Sequence, residues 1–169
     1  MRRLAPLLVV LVAAPAVAAT FIATSVEETA RSSEAVVRGR VLSTASRFTR
    51  DGRGIVTEAE IGVDAVWKGE AAATVRVVVR GGRVGSIAQW VDAAATFEQG
   101  EEVVVFLAGG GGGVFRVMGQ ALGKYRVNGI EARPALGEED VLPRPLAAGE
   151  RAVGPMAVAE LERRVRAAR

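Results

Sequence analysis

Histidine and cysteine are both absent from this chain. Without histidine there is no Ser-His-Asp or Cys-His nucleophilic system and no histidine-held zinc site. Without cysteine there is no thiolate chemistry and no disulfide, so stability has to come from packing. Aromatic residues are scarce, with two Trp, one Tyr and five Phe, which leaves a core of Val, Ala, Leu and Ile. Lysine is nearly missing: Lys68 and Lys124 stand among 22 basic residues. A large charge excess is missing too. Setting aside Arg2 and Arg3 leaves 20 basic residues against 19 acidic ones. The pI near 10.1 therefore reflects arginine chemistry. No nucleic-acid partner is implied, because counterion release needs a concentrated basic surface. What remains for catalysis is carboxylates, Ser/Thr, two lysines, one tyrosine and the arginines.

The first residues read as a secretory leader. Arg2-Arg3 begins it, Leu4 to Val12 is apolar apart from Pro6, and Pro15 precedes Ala16-Val17-Ala18-Ala19. Small residues there make a cleavage site, after Ala18 or Ala19. The apolar run is far short of the roughly 20 residues that span a bilayer. No later segment approaches that length, so an exported chain, periplasmic or extracellular, without stable membrane insertion is expected. About 150 residues then remain, enough for one domain.

Ile55 to Lys68 organises that domain. Ile55, Thr57, Ala59, Ile61, Val63, Ala65 and Trp67 alternate with Val56, Glu58, Glu60, Gly62, Asp64, Val66 and Lys68. Period 2 predicts a strand with one buried and one wetted face. Its roughly 45 Å length is too great to stay flat, and Gly62 offers a place to bend. Ala35 to Leu42 predicts a preceding strand, with Gly39 as the same device. Arg50-Asp51-Gly52-Arg53-Gly54 predicts the hairpin turn between the two. Further strands are expected over Thr74–Arg80, Val103–Leu107, Val114–Val117 and Lys124–Val127. The apolar run 103–107 suits a strand buried on both faces. Ile87 to Phe97 reads as an extended connection carrying Trp90.

Ser25 followed by Glu28 is a capping box, so a helix is expected over Val26–Ser32. Pro155 is expected to open a C-terminal helix with the stripe Val158, Leu161, Val165 and arginines in its last turns. The expected organisation is leader 1–19, lead-in and helix 20–33, barrel 34–128, irregular segment 129–154 and helix 155–169. The fold class is mainly β: a small, curled, five- to six-stranded barrel of OB-like form with one short helix before it and one amphipathic helix after it.

Candidate sites are few. Glu58 and Glu60 share a strand face and suit an acid–base pair only within a cleft; a solvated outer face is the plainer reading. Glu138-Glu139-Asp140 lacks the alternating spacing of a calcium loop. Gly109 to Gly113 is not followed by Lys-Ser/Thr, and neither glycine cluster completes Gly-x-Gly-x-x-Gly. Arg38, Arg40, Arg76 and Arg80 are expected to pair across strands with Glu58, Glu60 and Asp64. Trp67 reads as core. Trp90 reads either as an exposed contact or as packing over the barrel mouth. The expected binding residues are Arg80, Arg83 and Trp90. No catalytic residue, metal or cofactor is expected.

Four stretches carry a resemblance. They are Ala35-Val36-Val37-Arg38-Gly39-Arg40-Val41-Leu42-Ser43, Val63-Asp64-Ala65-Val66-Trp67-Lys68-Gly69, Thr74-Val75-Arg76-Val77 and Phe97-Glu98-Gln99-Gly100-Glu101-Glu102-Val103-Val104-Val105-Phe106. Over roughly Glu34 to Val127 the chain is similar to secreted domains of netrin or tissue-inhibitor-of-metalloproteinase type, which are OB-fold barrels. It also resembles exported proteins of high-GC bacteria with Gly-Gly-Arg-Val-Gly, Gly-Lys-Tyr-Arg-Val and a basic C-terminal helix. The inhibitor family implies metalloproteinase binding through an N-terminal cysteine. This chain has none, so no inhibitory residue carries over.

The function expected is that of an exported, non-catalytic binding module, with another secreted protein such as a metalloprotease as partner. The alternatives are a structural protein of the envelope or surface, and a glycan hydrolase using Glu58 and Glu60.

Overall fold

A computed structural model describes residues 21–22, 24–109, 111–136, 141–142 and 145–168. The leader and the Glu138-Glu139-Asp140 stretch lie outside the described residues.

Helix α1 (Val26–Ser32) forms where the capping box predicts it: the Glu28 backbone NH donates to Ser25 Oγ at 2.9 Å. Two 14-residue strands follow, β2 (Ala35–Phe48) and β3 (Ile55–Lys68). The turn between them closes with the Thr49 NH donating to the Gly54 carbonyl. Then come β4 (Thr74–Arg80), the hairpin β5 (Gly82–Val84) and β6 (Ile87–Gln89), and β7 (Glu102–Ala108). The chain continues through β8 (Val114–Val117), β9 (Lys124–Asn128), β10 (Glu131–Pro134), β12 (Met156–Ala157) and α2 (Val158–Ala167). Short strands β1 (Phe21–Ile22) and β11 (Val141–Leu142) pair in parallel with each other.

Among the described residues, eight strands make the main sheet, in the order β12-β10-β9-β7-β2-β3-β4-β8. The protein is mainly β, with the expected short helix near the N-terminus and a helix at the C-terminus. The sheet curls until β8 meets both β4, in parallel, and β7, antiparallel, through two residue pairs at each seam. Seams that short leave a curled sheet, not a closed barrel.

Three differences from the sequence reading have physical causes. First, β3 does not keep one phase from Ile55 to Trp67. The register with β2 slips past Asp64 and again past Trp67, and past Leu42 on β2. Each bulge sends the following side chains to the other face. Ile61 and Val63 therefore pack inside the curl, whereas Ala65 and Trp67 pack under the helices. Second, the segment after Gly129 is not wholly irregular, because β10 extends the sheet beside β9. Third, Pro155 does not open the last helix. Met156–Ala157 pairs with Glu131–Ala132 first, and α2 starts at Val158.

β7 is buried on both faces, as its unbroken apolar run predicts. Val103, Val105 and Leu107 point into the curl with Val37, Ile61 and Val77. Val104 and Phe106 point the other way, to Tyr125, Leu161 and Val165. Burying each such side chain contributes on the order of 1.5–3 kcal/mol. Lys124 is fully buried, an unusual place for a lysine. Its Nζ donates to both Glu101 oxygens, at 2.8 and 2.7 Å, and to the Thr96 carbonyl, while resting 4.7 Å from the Phe97 ring centre. Burial pulls the Lys124 pKa down, opposed by Glu101. The pair ties the 96–101 connection to β9.

Candidate functional site

β2 and β3 each run from a covered end to a bare end. At the covered end Ala35, Val36 and Val37 are fully buried under α1, α2 or the curl. From Leu42 onward β2 is mostly exposed. The site candidates gather at this bare end.

The hairpin β5–β6 lies across the mouth of the curl, held by polar contacts with the inner face of β2 and β3. Ser46 Oγ and Thr57 Oγ1 are 2.8 Å apart, and Thr57 Oγ1 donates to the Gly81 carbonyl at 2.8 Å. The Arg83 backbone NH reaches Ser46 Oγ at 3.4 Å. The Gln89 side-chain oxygen accepts from the Ile55 backbone NH. Gly82 makes this seat possible. At φ +131 a Cβ on it would overlap both Thr57 Oγ1 and Ser46 Oγ. Gly81-Gly82, which follow β4, are thus the seat of a hairpin.

Between hairpin and sheet lies a cavity of about 210 Å³ lined by Thr44, Ser46, Thr57, Arg80, Trp90 and Phe97, among others. An adjoining cavity of about 180 Å³ shares Val79, Arg80 and Val91 with it and reaches Arg116 and Gln120. Trp90 stands at the rim, 84% exposed, whereas Trp67 is 5% exposed.

The structure brings Arg80 and Trp90 to one cavity. It places Arg83 on the hairpin beside that cavity, its backbone tied to Ser46, a lining residue. Sequence reasoning missed their neighbours. Arg47 and Arg80 both register with Val56, on either side of it. Arg50 and Arg53 flank the turn at Asp51-Gly52. Phe48 registers with Ile55, the residue held by Gln89. Phe48 and Ile87 are 44% and 55% exposed. The signal was present in Arg47-Phe48-Thr49-Arg50-Asp51-Gly52-Arg53, three arginines around one aspartate.

Most charges elsewhere are paired, although Asp64, which was expected to pair, and Glu70 and Arg116 make no ion pair among the described residues. Arg76 reaches Glu58 at 3.7 Å, as cross-strand pairing predicts. Arg38 and Arg40 turn instead to Glu102, because β7 lies on their other side and registers Arg40 with Glu102. Arg80 was expected to pair and makes no ion pair among the described residues; nor do Arg47, Arg50, Arg53 or Arg83. Asp51 accepts from Thr49 Oγ1 and the Arg53 backbone NH, and these bonds hold its carboxyl below the usual range.

Glu58 and Glu60 lie on the outer face with Ser43, Arg47 and Arg76 around a depression of about 330 Å³. Glu58 is engaged by Arg76 and Glu60 accepts from Ser43 Oγ at 3.3 Å, so both are spent on neighbouring strands. Among the described residues, no three carboxylates converge in a way that could hold a metal ion. None of their helices is long and apolar enough to cross a membrane.

The chain matches no known protein family, no curated protein and no solved structure.

Proposed function

We propose that this chain is an exported binding module that works by contact, through the bare end of its curled sheet. The observation that carries the reading is Trp90. A large apolar side chain, 84% exposed, stands at the rim of a cavity and beside arginines that have no carboxylate partner among the described residues. Trp and Arg are among the side chains that most often dominate interfaces, and an exposed Trp adds little to the core. The strand arrangement supports this: β7, β2, β3, β4 and β8 follow one another around the curl, which resembles the partly open OB-type barrel that binds through a sheet face and its flanking loops. Export is supported by the leader-like first nineteen residues.

Hydroxyl-radical footprinting tests the reading. The purified chain is compared with the same chain mixed into an envelope extract of the producing cells. Shielding of Trp90, Phe48 and Ile87 is expected. Unchanged reactivity at all three, or shielding confined to α1 and α2, overturns the proposal.

A further inference from the structure

The bare end carries an uneven charge. Arg47, Arg50, Arg53, Arg80 and Arg83 are all exposed there, against Asp51 and Asp92; Glu58 and Glu60, which share a depression with Arg47, are engaged by Arg76 and Ser43. In formal terms that excess of three exceeds the +1 of the chain once Arg2 and Arg3 are set aside. The other described residues are close to balanced in charge and largely paired, so the positive field is concentrated at one pole. The exposed apolar residues follow the same distribution. Five large hydrophobics are exposed among the described residues, and Phe48, Ile87 and Trp90 are at this pole.

Their placement narrows the partner. The three side chains do not line a single groove. Phe48 ends β2, Ile87 starts β6 and Trp90 follows β6, so they are spread along the edge formed by two neighbouring turns. The turn tips, at Gly52 and Gly85, have open space around them. Projecting turns with separated apolar side chains, ringed by arginines, suit a flat and yielding surface better than a shaped socket. Tryptophan favours the headgroup level of a bilayer, and arginines beside it meet lipid phosphates.

We propose that this pole docks on an anionic phospholipid surface, with Trp90, Ile87 and Phe48 entering the headgroup layer and the five arginines contacting lipid phosphates. The proposal rests on the binding-module reading and names the partner of that same surface. The dominant force is electrostatic, so attachment is peripheral and reversible by salt.

The test uses the chain without its leader and two kinds of vesicle, phosphatidylcholine alone and phosphatidylcholine mixed with phosphatidylglycerol. Co-sedimentation is expected with the mixed vesicles only, and it is lost at high ionic strength. Trp90 emission should move to the blue on binding, because buried Trp67 already sits in an apolar setting. The shift should vanish in Trp90→Phe while most of the binding persists. Each arginine near the surface is worth about fivefold in partitioning, so the triple change Arg47→Gln, Arg53→Gln and Arg83→Gln should weaken binding about a hundredfold. Equal binding to both vesicles, no binding to either, or an unmoved triple variant overturns the proposal. So does tighter binding to polyglutamate or to a single-stranded oligonucleotide at the same ionic strength. If the footprint of the preceding section appears and the vesicles fail, the lipid assignment is wrong and the contact surface stands. If neither appears, both readings fall.

Discussion

The two halves of β2 use the same backbone for opposite ends. From Ala35 to Val41 the strand is mostly buried, and most of the charges near it have partners. Arg164 meets Glu27 at 2.7 Å and Arg31 meets Glu150 at 2.6 Å. Lys68 donates to the carbonyls of Ala30, Arg31 and Ser33, capping the end of α1. From Leu42 to Phe48 the strand is largely exposed, and the arginines around its end make no ion pair among the described residues. Stability is concentrated in the first half, and the second is where chemistry stays available to a partner. Four tests sharpen or break that contrast.

The largest effect is expected at Gly39. A Cβ there would overlap the Gly62 carbonyl oxygen, which is backbone and cannot swing aside. Gly39→Ala should cost at least about 3 kcal/mol in urea unfolding. Gly62→Ala should cost under about 1 kcal/mol, since its Cβ would meet only the Leu42 side chain, at 3.3 Å, and Leu42 is 45% exposed. Equal losses at the two glycines would show that the Gly62 carbonyl can move away from Gly39.

Leu161 and Leu42 make the next pair. Leu161 is fully buried between α2 and the sheet, so Leu161→Ala should cost about 3 kcal/mol. Leu42→Ala should stay within about 0.5 kcal/mol, again by denaturant titration.

These contrasts also mark what the sequence could convey. The Ser25–Glu28 box, the Asp51-Gly52 turn and the alternation of β3 are local patterns, and each gave its element with correct bounds. The change of face at Asp64 was not legible, because a bulge is a relation between two strands and leaves no mark on period 2 within one of them. The burial of Lys124 was hidden for a similar reason: its stability depends on Glu101 and the Thr96 carbonyl, which a connection more than 20 residues away brings to it. Of the candidate site, Trp90, Arg80 and Arg83 were readable as unusual residues near glycines. That Arg47, Phe48 and Arg53 join them required the register of β2 with β3 and the seat of the 82–89 hairpin. Both are long-range facts.

A smaller effect tests the covered half through proton linkage. Tyr125 is fully buried, and its hydroxyl, near the Gly154 backbone NH, makes no hydrogen bond of ordinary geometry. Burial holds its pKa well above the usual value of about 10. The unfolded chain therefore loses this proton first. The resulting stability is complete below about pH 10 and falls as pH rises beyond it, by up to about 1.4 kcal/mol per pH unit. Tyr125 is the only tyrosine, so phenolate absorbance reports it alone. No phenolate should form above pH 10 until the protein unfolds, and Tyr125→Phe should remove this part of the slope. A phenolate titrating near pH 10 in folded protein would mean that the covered half is open to water.

The smallest expected effect is at the bare end, and the functional reading depends on it being small. Trp90→Ala and Arg83→Gln should each change the unfolding free energy by no more than about 0.5 kcal/mol. The reasoning is that Trp90, at 84% exposure, has little apolar area left to lose, and Arg83 has no carboxylate to leave unpaired. A tryptophan that contributes nothing to folding is free to serve a partner. A loss of 2 kcal/mol or more at Trp90, seen as a lower urea midpoint with an unchanged slope, would mean that the side chain closes the mouth of the curl in solution. The cavity beneath it would then be a core defect under a lid, and the contrast between the two halves of β2 would lose its functional meaning.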